Sequence, residues 1–311
     1  METWIATGDE TGKWDIENGH FSPGNLGVAW ALGTAQAWDR ALQMRIGEKT
    51  ALEVFSEPMA TRLPAVLTSG GSAKYHVKDV WECVSNEQAR DVQLDTVQDH
   101  LALELLRSDA QWLLCQSGLG VLAVGGSRED AKASGIGVSG DGMRERARAF
   151  AGLMTVALPF FPGDTSLNLL IEGRTESALA NLPWSDAPEF GEYGSRNTEP
   201  FRIFLAQLHE DLKKSAGRCQ FLVASGSTVN DFYAGGKDYM KKFITGNKLR
   251  SAPFLKAHAE QAVAAMNGIS DLAAALVPRP QGPKCRLVVP PGFSDNIWTG
   301  NFKELRHAIR S

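Results

Sequence analysis

Trp4-Ile5-Ala6-Thr7-Gly8-Asp9-Glu10-Thr11-Gly12 is the stretch that decides how this chain folds, read together with the apolar run Leu26-Gly27-Val28-Ala29-Trp30-Ala31-Leu32 that follows it. The pair reads as a strand over about residues 3–8, an acidic loop, and a second strand over about 26–33. Asn18-Gly19 and Pro23-Gly24 lie between them and are turn signals. Strands disfavour Asp, so Asp9 at the carboxyl end of the first strand calls for a reason. A turn is one reason, because Asp and Gly are common turn residues and Gly12 adopts positive φ at little cost. Chemistry is the other, since two adjacent carboxylates stand where a strand meets solvent.

Further along, a third strand is expected around Leu52-Glu53-Val54-Phe55. Ser69-Gly70-Gly71-Ser72 leads into Tyr75-His76-Val77-Lys78-Asp79-Val80-Trp81, and residues 86–107 have the apolar spacing of an amphipathic helix. Two apolar runs follow, Trp112 to Cys115 and Leu119 to Val124. A helix is expected from Met143 to Leu158, then a strand Leu167–Ile171, a helix over about 201–215, a strand Gln220–Ala224 and a helix carrying Asp231. Strands alternating with helices after an opening hairpin indicate an α/β domain with a mixed sheet. From Leu249 the character changes to an alanine-rich helix (about 255–276) and a proline-punctuated segment. The expected organisation is therefore a domain over 1–248 and a helical or irregular C-terminal extension over 249–311.

Composition narrows the class of protein. With 311 residues and 43% hydrophobic content, the chain can bury a sizeable core. Its longest apolar stretch, Leu153 to Phe161, is too short to span a bilayer, and no secretory signal is visible, so a cytoplasmic protein without membrane contact is expected. Cys83, Cys115, Cys219 and Cys285 lack CxxC spacing, which argues against a disulfide framework and a zinc site. The net charge of −4 is not that of a dedicated nucleic-acid binder. Local basic patches (Lys213-Lys214, and Lys237 to Arg250) and the neutralising effect of bound cations keep a nucleic-acid substrate open.

Several motifs fail on spacing. Gly8 to Lys13 is too short for a phosphate-binding loop, and Trp14 stands where Ser or Thr should be. Gly118-Leu119-Gly120 is followed by Gly125-Gly126, which would break the helix a dinucleotide needs. What persists is a pattern of acids at element ends: Asp9 after the first strand, Glu172 after Leu167–Ile171, and Asp231 in the helix after Gln220–Ala224. Each alone suits a turn, a loop charge or a helix N-terminus. Together they suit a hard divalent cation, which prefers a few carboxylates plus water and phosphate oxygens.

In this order the motifs resemble the DUF3800 family. That family opens on a strand ending in Asp-Glu-Ser-Gly, to which Asp9-Glu10-Thr11-Gly12 is similar with Thr for Ser. Its His-containing segment is matched by Tyr75 to Asp79, and its strand ending in an acid near Arg by Ile171-Glu172-Gly173-Arg174, with Glu for the usual Asp. Its last motif resembles Ser225 to Gly235, with Asn230 where Ala is usual. The likeness covers about residues 3–245. It implies a ribonuclease H-like mixed sheet with flanking helices, and a nuclease using Mg²⁺ or Mn²⁺ on a DNA or RNA substrate. Asp9, Glu172 and Asp231 would be the metal ligands. Glu10, His76 and Asp79 would serve in ligation, proton transfer or substrate positioning. Two alternatives remain open: a degenerate domain that binds a partner without cutting it, and an actin-like phosphotransferase. The second lacks a further Asp-Gly phosphate hairpin in the C-terminal half.

Overall fold

The computed structural model describes residues 2–11, 14, 16–17, 20–21, 25–46, 49–56, 117–136, 142–158, 161, 165–171, 204, 207–208, 210–214, 220–225, 252–274 and 297–310. A six-stranded sheet forms its centre, in the order β10-β7-β4-β1-β8-β9. Its strands are β1 (Thr3–Thr11), β4 (Asn25–Thr34), β7 (Gly120–Ser127), β8 (Ser166–Ile171), β9 (Gln220–Ser225) and β10 (Ile297–Asn301). β4 runs antiparallel to both β1 and β7, while β1, β8 and β9 are parallel, as are β7 and β10. The chain is thus an α/β protein with a mixed sheet. Two small ladders flank it, β2 (Ile16–Glu17) with β3 (His20–Phe21) and β5 (Arg45–Ile46) with β6 (Lys49–Thr50).

Side-chain size sorts the two faces of this sheet. Leu26-Gly27-Val28-Ala29-Trp30-Ala31-Leu32-Gly33 alternates large and small residues, and a strand sends alternate residues to opposite faces. The large residues Leu26, Val28, Trp30 and Leu32 join Ala6, Leu122, Val124, Leu167, Leu169 and Ile171 in one core. That core is covered by α4 (Gly142–Ala157), by Phe204, Leu208 and Leu212, and by Phe302 and Leu305 of α7 (Phe302–Arg310). Trp30 donates its indole N–H to the Phe150 carbonyl at 3.1 Å and meets the Phe150 ring edge-on at 5.0 Å. Edge-to-face pairing of this kind stabilises beyond what the buried area of the rings contributes.

The small face, with Thr7, Ala29, Ala31 and Gly33, admits an alanine-rich helix at close range. This is α6 (Ala259–Ala274), which crosses β1 and β4 and packs on α2 (Ala51–Ser56). The Thr7 hydroxyl donates to the Met266 carbonyl of α6 at 3.2 Å. The small residues Ala29, Ala31 and Gly33 beside Thr7 leave room for its buried hydroxyl to reach the helix backbone. Residues after 248 therefore supply α6 to one face and β10 to the sheet edge beside β7.

Three expectations change. Residues 52–55 belong to helix α2, not to a strand. The reason is a capping box: the Glu53 carboxylate accepts from the Thr50 backbone N–H at 2.7 Å, and Thr50 Oγ1 accepts from the Glu53 N–H at 3.3 Å. The alanine-rich helix is two helices, α5 (Pro253–Ala257) and α6, separated at His258. Asp9 and Glu10 lie within β1, not in a loop, paired with Ala29 and Val28 of β4. The antiparallel ladder continues past the point where a strand was expected to stop, because Leu26 to Ala29 have their own places in the two faces of the sheet.

The helix expected over 86–107, the segment Tyr75 to Trp81, the apolar run Trp112 to Cys115 and the helix carrying Asp231 lie outside the described residues. The expected helix Met143–Leu158 and the strands at 167–171 and 220–224 agree with α4, β8 and β9 to within a residue or two.

Candidate functional site

β1, β8 and β9 run parallel, so their carboxyl ends share one edge of the sheet. Gly8 is the register partner of Ile171, and Ile171 that of Ser225. Asp9 follows Gly8 at this edge. On one side it has the β4 ladder at Ala29, and on the other the ladder with β8 has reached its last described pair. Ligand sites in α/β sheets commonly form at the carboxyl ends of parallel strands, where helix and loop starts converge.

Asp9 and Glu10 are neighbours in sequence but lie on opposite faces of the sheet, because β alternation separates them. Asp9 shares its face with Thr7, the one that α6 covers. It is half-buried, and its Oδ1 accepts the backbone N–H of Glu10 at 2.8 Å. Glu10 shares the large-residue face with Ala6 and meets α4: its Oε2 lies 2.5 Å from Nη2 of Arg146. The Arg146 guanidinium in turn lies 4.4 Å from the Phe204 ring centroid and 6.0 Å from that of Phe150. Stacking on an aromatic face suits the planar guanidinium.

A second ion pair, buried on both sides, involves the residue before Arg146. Arg128, in α3 (Arg128–Ala133), reaches Glu145 of α4 at 3.7 Å and donates to the Trp14 carbonyl at 3.0 Å. Their side chains are only 5% and 1% exposed. Neither Arg146 nor this pair was singled out by sequence reasoning, although a signal exists. Arg146, Phe150, Leu153, Met154 and Ala157 follow the helical spacing that buries one face of α4. An arginine on that stripe implies a buried partner.

Of the residues expected to form the site, Asp9 and Glu10 are described and stand on opposite faces. Glu172, Asp231, His76 and Asp79 lie outside the described residues, although β8 ends one residue before Glu172. Among the described residues no three His, Cys, Asp or Glu side chains converge as a metal site. Asp9 nevertheless suits a hard cation, offering a half-buried carboxylate whose Oδ1 is oriented by a backbone N–H. No helix among the described residues is long and apolar enough to cross a membrane.

Comparison with protein-family models, with curated proteins and with solved structures finds no match.

Proposed function

We infer that this chain is a divalent-metal-dependent nuclease with a ribonuclease H-like domain. The observation that carries this reading is the position of Asp9: on an interior strand, at the edge where the parallel strands β8 and β9 also end. The strand order, with β4 alone antiparallel within β7-β4-β1-β8-β9, supports the fold assignment. Glu172 follows Ile171 in the sequence, and Ile171 is the register partner of Gly8, the residue before Asp9.

Asp9, Glu172 and Asp231 would hold Mg²⁺ or Mn²⁺. When bound, the ion lowers the pKa of a coordinated water and stabilises the departing oxygen of a phosphodiester. The protein's part is to place carboxylates at fixed spacing on a rigid sheet and to present the substrate phosphate. His76 and Asp79 are proposed for proton transfer or substrate positioning. The substrate is a nucleic acid, DNA or RNA.

The test is cleavage of DNA and RNA oligonucleotides in Mn²⁺ or Mg²⁺ by wild type, Asp9→Asn and Asp231→Asn. Each substitution should abolish cleavage while circular dichroism shows an unchanged fold. Cleavage retained by both variants overturns the assignment.

A further inference from the structure

We propose that Glu10 is a positioning residue: together with Arg146 it orients the Asp9 carboxylate and does not itself bind the metal. The proposal rests on the reading of Asp9 as a ligand and deepens it. A continuous chain of contacts carries it. Arg146 is held against the Phe204 ring on α4's buried side and is 7% exposed. It grips the Glu10 carboxylate at 2.5 Å, which ties the end of β1 to α4. The backbone N–H of the same Glu10 donates to Asp9 Oδ1 at 2.8 Å. Glu10 thus meets Arg146 through its side chain and Asp9 Oδ1 through its backbone, joining the two contacts on one residue.

Gly8 strengthens the device from the other side. A Cβ there would stand 2.7 Å from the Trp30 ring and 2.9 Å from Phe150, so β1 is pressed against the large-residue core immediately before Asp9. Asp9 thus sits between two residues anchored on one face, and its side chain goes to the other. A ligating Glu10 would require its carboxylate on the Asp9 face, which the alternation of β1 denies. Partners that orient a ligand commonly contribute 10- to 100-fold to metal affinity.

Isothermal titration of Mn²⁺ into the full chain tests this, with wild type, Asp9→Asn, Glu10→Gln, Arg146→Gln, Arg146→Lys and the Glu10→Gln/Arg146→Gln double variant. If Glu10 acts through Arg146, each Gln variant weakens Mn²⁺ binding by roughly 10-fold or more. The double variant should then be no weaker than the worse single one, because the two changes break the same link. Arg146→Lys keeps the charge and should recover part of the affinity. Additive losses would mark Glu10 as a ligand in its own right and overturn the proposal, as would unchanged affinity in Glu10→Gln. Thermal melts identify any variant that fails to fold; if Arg146→Gln does, Glu10→Gln against Arg146→Lys carries the comparison. Failure of wild type to bind Mn²⁺ overturns the metal reading itself, and this proposal with it, and is distinct from every variant-specific result.

Discussion

Gly8 and Trp30 are cross-strand partners in the β1–β4 ladder, and the indole of Trp30 occupies the space where a side chain on residue 8 would begin. A Cβ at position 8 would lie 2.7 and 2.8 Å from two Trp30 ring carbons, inside any real contact distance. Trp30 cannot retreat easily, since its N–H is bonded to Phe150 and its ring is fully buried. Gly8→Ala should therefore destabilise the fold by about 1–3 kcal/mol, the usual cost of overpacking a core. Urea denaturation measures this directly, and an unchanged midpoint would contradict the packing described.

Asp39 is the next sensitive position. Although it is carried by α1 (Ala35–Gln43), its Oδ1 accepts the backbone N–H of Leu255 in the first turn of α5 at 2.7 Å. Ala252, at the start of that helix, provides no side-chain cap, so Asp39 supplies one from a distance. Asp39→Ala should cost about 1–3 kcal/mol, because a buried N–H loses its acceptor. Asp39→Asn retains an oxygen and should cost less. Hydrogen exchange at Leu255 should quicken in the Ala variant before that in the central sheet does.

Thr50 and Glu53 cap α2 reciprocally through an exposed pair of side chains. Thr50→Ala should lower stability by about 1 kcal/mol, within the range for lost N-caps. The melting temperature reads this loss. Thr50→Ser, which keeps the hydroxyl, should restore most of it.

Asp130 predicts a dependence on acid. Its carboxyl is held below the ordinary value of 3.8, chiefly by the hydrogen bond from Lys303 and then by that from Ser127. A carboxyl lowered in the folded state stabilises fully above its unfolded value, and the contribution is lost as pH falls through the lowered one. Wild type should thus lose stability on acidification below the ordinary aspartate range, and Lys303→Met should flatten the part due to this pair. The comparison is the urea midpoint at neutral pH and at about pH 3. Because Asp130 and Lys303 are 33% and 67% exposed, salt should diminish the difference.

Much of the sheet was legible because its code is local. The large–small alternation from Leu26 to Gly33 needs only the period of a strand to be read, and the apolar stripe of α4 only that of a helix. α2 was misread because Leu52, Val54 and Phe55 suit either element, and the cue that decides is Thr50 with Glu53, three residues apart. The end of β1 was misread for a different reason. Asp9 and Glu10 are poor strand formers, and their pairing is imposed by β4 through the ladder to Ala29 and Val28.

The sequence by itself determined an α/β chain that opens with a hairpin, its strand and helix periods, and Asp9 as the acid to explain. These follow from interactions between residues a few positions apart. Only the tertiary structure decided that Asp9 and Glu10 part company across the sheet, that Arg146 takes the second carboxylate, and that α6 crosses β1 at the depth of a hydroxyl bond. The first depends on the ladder that β4 imposes on β1, and the other two on pairs separated by more than a hundred residues, which no local period encodes.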